Sequence, residues 1–127
     1  MTAPSIAILE HLAAQGLVDG EWVGFAGYFP PSPDRCVSIV DTAGDPPQAS
    51  FAYEEPGVQM RVRGLRQDYA LTNDKVTELF DILHAQPLGA HAQEYPDCLA
   101  VGGPLFHGFD AVDRPVWVVN FKLMRTR

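Results

Sequence analysis

The chain has 127 residues, 46% of them hydrophobic, and a formal net charge of −7 at pH 7. A chain of this length fits one domain that buries a core without disulfides or metals. The acidic balance argues against a protein that wraps nucleic acid by neutralising phosphates. No apolar run reaches the ~20 residues of a membrane span. The N-terminus also lacks the basic region of a signal peptide, so we expect synthesis in the cytoplasm.

Two segments carry the helical period of apolar residues. Residues 4–15 begin with Pro4, which fits a first helical turn, and end before Gly16, which suits a left-handed exit. Residues 67–85 place apolar side chains within an arc of roughly 100° and acidic ones opposite. The sequence therefore predicts two helices, the second of which packs on a sheet.

Strands are predicted between and after these helices. The segment 58–64 has the clearest pattern, because Val58, Met60 and Val62 alternate with polar residues. The other strands are predicted at 22–29, ended by Pro30, Pro31 and Pro33, at 36–41, within 98–109 and at 116–124. Gly102-Gly103-Pro104 interrupts the strand within 98–109, and a turn at 110–114 precedes the last strand.

This order of elements predicts an α+β fold in one domain, residues 1–127. We expect a mainly antiparallel sheet of about five strands with two helices packed on one face, in the order α-β-β-β-α-β-β. Residues 42–57 are predicted to be an extended loop, since they contain glycines, prolines and acidic residues around one apolar patch, Phe51-Ala52-Tyr53. Long loops are usually functional or disordered. Two interpretations stay open: an arm that contacts a partner, and a flexible hairpin extension without one.

Residue types that carry catalysis or bind metals occur without the spacing that such sites need. The four histidines never stand four residues apart, and His84, His91 and Cys98 flank a proline-containing turn without a second close pair. Cys36 and Cys98 are expected to be buried free thiols, which burial makes less reactive. Gly102-Gly103 leads into no helix and so cradles no phosphate. We predict no catalytic, metal or cofactor site, and no enzyme.

Charged residues predict an assembly surface instead. Three arginines form a basic cluster, which is either a solvated sheet face or an ion-pairing face for acidic residues of another copy. Opposite charges on separate surfaces suit head-to-tail contacts, which close into rings. The residues of this predicted interface are Asp45, Glu54, Glu55, Arg61, Arg63 and Arg66.

Several motifs, in this order, resemble the tail-terminator and minor capsid proteins of tailed bacteriophages. The first is Tyr28-Phe29-Pro30-Pro31-Ser32-Pro33-Asp34, followed by the segment Val37 to Gly44. The second is Val58-Gln59-Met60-Arg61-Val62-Arg63-Gly64, followed by a helix that carries Tyr69 and a hairpin from Asp110 to Phe121. The resemblance covers nearly the whole chain. The chain departs from it in a longer connector after Gly44 and in a hairpin turn without glycine.

The resemblance implies a virion subunit, made in the host cytoplasm, that forms a ring at the head-proximal end of a tail tube. Such a ring, often hexameric, ends tube polymerisation and meets a head-completion or neck protein. DNA would pass its lumen without sequence-specific binding, which the acidity fits, and no cofactor or membrane is implied. One alternative is a head-tail connector or minor capsid component. A more distant alternative is a small-ligand-binding domain or hydrolase built on Trp22, Phe25, Tyr28 and Trp117, although such aromatics are more often core.

Overall fold

The computed structural model describes residues 2–45 and 53–126. Helix α1 spans Pro4–Ala14, helix α2 spans Tyr69–Leu83, and a single 3-10 turn spans Gly89–His91. The strands are β1 (Val23–Ala26), β2 (Cys36–Asp45), β3 (Tyr53–Arg63), β4 (Asp97–Ala100), β5 (Leu105–Phe109) and β6 (Pro115–Thr126).

The six strands form a sheet in the order β1-β2-β3-β6-β4, and β5 pairs with β6 as well. β1 and β2 are parallel, while the other pairs are antiparallel. The predicted α+β class and the order of elements are confirmed. The sixth strand arises at Gly102-Gly103-Pro104, where the predicted strand within 98–109 divides in two. β4 pairs with β6 at Phe121–Met124 and β5 pairs with it at Pro115–Val118.

Both helices pack on one face of the sheet. Val58, Met60 and Val62 of β3 lie buried on this face, as their alternation predicts. α1 contacts β1, β2 and β3, while α2 contacts β3, β6 and β4. The described core is one cluster, to which the helices and strands contribute, among others, Ile8, Leu12, Ile39, Val76, Leu79, Leu83, Cys98, Trp117, Val119, Phe121 and Leu123.

The opposite face of the sheet, which we call the helix-free face, carries the intervening side chains. Its centre is polar, with Gln59, Arg61 and Asn120 in the register of β3 and β6. At one end the segment 27–35 crosses over it, since the Ser38 hydroxyl donates to the Tyr28 carbonyl oxygen. The helix-free face is therefore open at its centre and covered at one end.

Strand pairing continues into the segment that was predicted to be a loop at 42–57. β2 extends to Asp45 and β3 begins at Tyr53, with Thr42 opposite Gly57 and Asp45 opposite Glu55 around a register shift. β3 also pairs with the end of β6 as far as Tyr53. The connector is shorter than expected, because backbone pairing overrides the turn-forming composition. The predicted apolar patch lies largely outside the described residues, at Phe51 and Ala52.

Candidate assembly interface

Arg63 of the predicted interface lies on the helix-free face but is only 3% exposed. Its Nε donates to the Asp34 carbonyl oxygen at 3.0 Å and its Nη2 donates to the Pro33 carbonyl oxygen at 2.6 Å. The guanidinium also lies 4.6 Å from the centroid of the Phe29 ring. Arg63 therefore fastens the crossing segment to the sheet.

The other two arginines of the predicted cluster are exposed and separate. Arg61 donates from Nε to Gln59 Oε1 at 2.9 Å. Arg66 lies beyond the end of β3, where Nη2 stands 3.4 Å from Asp113 Oδ2. The three arginines therefore do not form one solvated cluster. Alternation puts Arg61 and Arg63 on one face, and both guanidinium groups approach the Phe29 ring of the crossing segment, at 5.9 and 4.6 Å, but only Arg63 is buried by it.

Two of the three acidic residues of the predicted interface, Glu54 and Glu55, have side-chain partners within the chain. Glu54 Oε1 accepts from Arg125 Nε at 2.6 Å, and both side chains are largely buried. Glu55 Oε2 lies 3.4 Å from Lys122 Nζ. Asp45 ends β2 opposite Glu55 in the register. Pairing with another copy stays a prediction, and it would have to compete with these internal ion pairs.

A polar network that the sequence did not reveal surrounds the base of the β2–β3 hairpin. Arg125 Nη1 donates to the Tyr95 hydroxyl at 3.0 Å, and that hydroxyl donates to the Thr2 carbonyl oxygen. The Ser5 amide and hydroxyl both donate to the Asp41 carboxylate, at 2.9 and 2.7 Å. The start of α1 is thereby tied to the hairpin. The available signal was Ser5 itself, a polar residue within the apolar arc of the first helix.

The cysteines are buried and free, as predicted. Burial raises the pKa of Cys98 to about 12, with a further contribution from Asp97. Burial also raises the pKa of Cys36, although Arg63 and Arg114 oppose the rise. Thiols held in the protonated form are poor nucleophiles. Neither cysteine is therefore prepared for covalent chemistry.

Two of the histidines have structural partners within the chain. His91 Nε2 lies 2.6 Å from Glu10 Oε2. His84 stacks on Phe80 and accepts a hydrogen bond from the Ala100 amide. Across residues 2–45 and 53–126, no group of three or more His, Cys, Asp or Glu residues is arranged to hold a metal ion.

The aromatic residues of the ligand-binding alternative divide into two groups. Trp22 and Trp117 belong to the core cluster. Phe25 and Tyr28 lie together at β1, with ring centroids 5.2 Å apart in an edge-to-face arrangement. The two tryptophans therefore serve the core, while the Phe25 and Tyr28 rings pack on each other.

Within the described ranges, no helix is long and apolar enough to cross a membrane. No curated protein matches the chain in sequence. The chain is similar in structure to a chain of the solved structure described as "Virion of native gene transfer agent (GTA) particle", with a TM-score of 0.72 and 14% sequence identity. The similarity covers 98% of this chain and 96% of that chain, so the two share a fold.

A sequence model of the family described as "Bacteriophage tail terminator protein" matches residues 11–127. This match includes every strand and the second helix, and it agrees with the resemblance carried by the motifs at 28–44 and 58–64. The chain belongs to the bacteriophage tail terminator family and is thus a structural protein of a phage tail.

Proposed function

We propose that the chain forms a ring, a hexamer by the family resemblance, at the head-proximal end of a phage tail tube. There it ends tube polymerisation and offers the surface that a head-completion or neck protein joins. The observation that carries this proposal is the family match over residues 11–127. The shared fold with a chain of a gene transfer agent virion supports assembly with other virion proteins in a multi-subunit particle.

The proposed mode of action is surface complementarity without catalysis. A ring that covers the polymerising end of the tube prevents the next subunit from adding, and no bond needs to be made or broken. The raised pKa values of Cys36 and Cys98 support a role without catalysis, because both thiols stay protonated and are poor nucleophiles. The net charge of −7 suits a lumen through which DNA passes, since an acidic wall repels phosphates and keeps the duplex from sticking.

Contacts to neighbours are proposed at two places that the sequence analysis identified. The β2–β3 hairpin, residues 42–57, contacts the tail tube, and its base is held by the Glu54–Arg125 ion pair. The exposed charges contribute to contacts between copies. The charge-reversal variant Arg61→Glu tests the contact between copies. If this variant assembles like the wild type, Arg61 is not part of that interface. Of the six residues predicted for this interface, Arg61 and Arg66 have the exposed side chains that such a contact needs, whereas Arg63 and Glu54 are largely buried within their own subunit.

A tube-growth assay tests the function directly. The purified tail tube subunit is polymerised alone and with increasing amounts of this chain, and tube lengths are measured by electron microscopy. We expect shorter tubes, each with extra density at one end. An unrelated acidic protein of similar size serves as the control. Binding only to the capsid or portal, with tube length unchanged, would instead assign the chain to the head-tail connector role.

A further inference from the structure

β1 ends the sheet on one side, and β4 and β5 both pair with β6 on the other; in the part of the chain that the structure describes, the outer sides of β1 and β5 are unpaired. β1 bonds to β2 through the Val23 and Gly27 amides, which donate to the Arg35 and Ile39 carbonyl oxygens. Backbone groups alternate in direction along a strand. The N–H and C=O groups of Gly24 and Ala26 therefore point away from the sheet, toward a neighbouring strand.

These two edges stand at the same level along the strands. Leu105 of β5 lies opposite Val118, and the same row continues across the sheet through Arg61 and Ser38 to Phe25 of β1. Leu105 and Phe25 also share the helix-free face, since every residue of one row points to the same side. Two copies side by side can therefore match these edges without a large shift.

The directions of the strands match as well. β1 is parallel to β2, and β6 runs the same way because two antiparallel pairings separate it from β2. β5 is antiparallel to β6 and so runs opposite to β1. When two copies have the same orientation, β5 of one meets β1 of the next in antiparallel fashion. Antiparallel pairs are slightly more stable per residue than parallel ones.

Exposed apolar side chains concentrate along the β5 edge. Leu105 is 63% exposed, Val101 before it is 65% exposed, and Phe109 at its end is 51% exposed. At the other edge, Tyr28 is 57% exposed beside the ring of Phe25. An exposed apolar edge strand is a site of association unless charges, bulges or covering elements block it, and the register shift of β5 lies beyond Leu105, between Phe106 and Gly108. Pairing the two edges would bring Leu105 beside the Phe25 and Tyr28 rings of the next copy and so reduce its exposure to water.

Charges near the two edges are complementary. Glu21 lies two residues before β1; its side chain is 64% exposed, and its carboxylate is paired with Arg35 of the same copy. Arg66 stands near the β5–β6 turn with a side chain that is 71% exposed and a long contact to Asp113. Both lie at the same end of the sheet, because Val23 and Phe109 occupy neighbouring rows. Matching the edges therefore brings a carboxylate of one copy toward a guanidinium of the next.

We propose that β5 of one copy pairs with β1 of the next copy, so that the sheet continues from subunit to subunit around the ring. The contact is head-to-tail, because each copy contributes a different edge on each side, and such contacts close into rings. This inference rests on the proposed ring and specifies the surfaces that build it. It assigns the occupant of the β5 edge as a second copy of this chain.

Disulfide cross-linking tests the pairing on the full chain. Leu105→Cys is combined with Phe25→Cys and, for a neighbouring register, with Val23→Cys, while the native cysteines stay buried. Concentrated protein is oxidised and analysed by non-reducing electrophoresis, with rings followed in parallel by negative-stain microscopy. We expect a ladder of covalent multimers from one of the two double variants, and none from any of the three single variants. Thermal unfolding confirms that each variant is folded.

The outcomes separate this inference from the proposed function. Rings without a ladder from either double variant would overturn the β5–β1 contact and leave the ring intact. Dimers from Leu105→Cys alone would indicate that two β5 edges meet, which also overturns it. Absence of both rings and ladders overturns the contact, while the tube-growth assay decides the function separately.

A charge substitution provides a second, independent test. Leu105→Lys places an ammonium group at the edge and should lower the assembled fraction at least tenfold. Ile6→Lys is the matched control, because Ile6 is 44% exposed near the start of α1, where the adjacent Ser5 is bonded to Asp41 of β2. Equal assembly of the two variants would count against the proposal.

Discussion

Arg63 links two segments of the chain that are far apart in sequence. Its two hydrogen bonds end on carbonyl oxygens of Pro33 and Asp34, and its guanidinium covers the Phe29 ring. Both carbonyls would lose a charged donor if the guanidinium were removed. Hydrogen bonds to charged groups contribute about 1.5–3 kcal/mol each to stability.

Replacing this guanidinium should therefore destabilise the fold. For Arg63→Met, which keeps the length of the side chain, we expect the free energy of unfolding to fall by about 2–4 kcal/mol, as measured by urea denaturation. Arg61→Met is the matched control on the same strand and face; its exposed guanidinium lies 5.9 Å from the Phe29 ring, so we expect a loss of less than about 1 kcal/mol. Equal effects would mean that Arg63 acts as an ordinary surface residue.

His11 gives the stability a dependence on pH. Burial, followed by repulsion from His91, lowers the pKa of His11 below its ordinary value of 6.5. The unfolded chain therefore takes up this proton before the folded chain does as the pH falls. The stability that neutral His11 contributes is complete above about pH 6.5. It is lost as the pH decreases from 6.5 toward the pKa of His11 in the folded chain.

Removing the imidazole should remove this dependence. We expect wild-type protein to lose more stability than His11→Gln when unfolding free energies at pH 7.5 and pH 5.5 are compared. The difference between the two proteins isolates His11 from other titrating groups. A loss of the same size in both would show that another group is responsible.

The residue roles were only partly predictable, since they depend on contacts distant in sequence. Burial of the two cysteines follows from the apolar strands around them. The role of Arg63 does not, because alternation alone places it beside Arg61 on an open face. The predicted acidic partners, Glu54 and Glu55, are instead bonded to Arg125 and Lys122 on the neighbouring strand.

At the scale of elements, the junction between β3 and α2 depends on close packing. Gly64 follows β3, and a Cβ atom there would stand 3.0 Å from Thr72 Cβ and closer still to its hydroxyl oxygen. That hydroxyl donates to the Asp68 carbonyl oxygen at 2.6 Å and so cannot move without losing a hydrogen bond. The first turn of α2 therefore packs directly against the backbone at the end of β3.

A methyl group at this junction should act as an overpacking mutation. For Gly64→Ala we expect a loss of about 1–3 kcal/mol in the free energy of unfolding. Thr72→Ala in the same chain should recover part of that loss, so that the double variant is more stable than the sum of the single effects predicts. Gly103→Ala is the control, since nothing lies within 4 Å of its Cβ position. If the effects of Gly64→Ala and Thr72→Ala on the free energy of unfolding simply add, the new methyl group does not collide with Thr72.

Elements with a strong local period were predictable, while long-range pairing was not. α2 and the alternating part of β3 agree with their predicted positions, because their patterns reflect one buried face. The parallel pairing of β1 with β2 left no local signal, since it depends on the segment 27–35 crossing the helix-free face. The composition of 42–57 suggested a loop, yet cross-strand hydrogen bonds keep both of its ends in the sheet.

For the whole molecule, the net charge opposes assembly, while the exposed apolar side chains favour it. Each copy carries a net charge of −7, so copies repel one another at low ionic strength. The proposed β5–β1 contact relies on backbone hydrogen bonds and apolar side chains, which salt does not weaken. An interface built from Arg61, Arg66 and the acidic residues would rely on ion pairs, which salt screens.

Salt should therefore distinguish the two kinds of interface. Raising NaCl from 50 to 300 mM shortens the screening length from roughly 14 Å to roughly 6 Å. With the β5–β1 contact, we expect the protein concentration at half-assembly to fall as salt rises, because screening of the net repulsion outweighs the loss of one Glu21–Arg66 attraction. Sedimentation equilibrium on wild type and Leu105→Lys measures this midpoint. A protein concentration at half-assembly that rises with salt would favour the ion-pair interface. Salt screens attraction as well as repulsion, so only an interface held by opposite charges would become weaker.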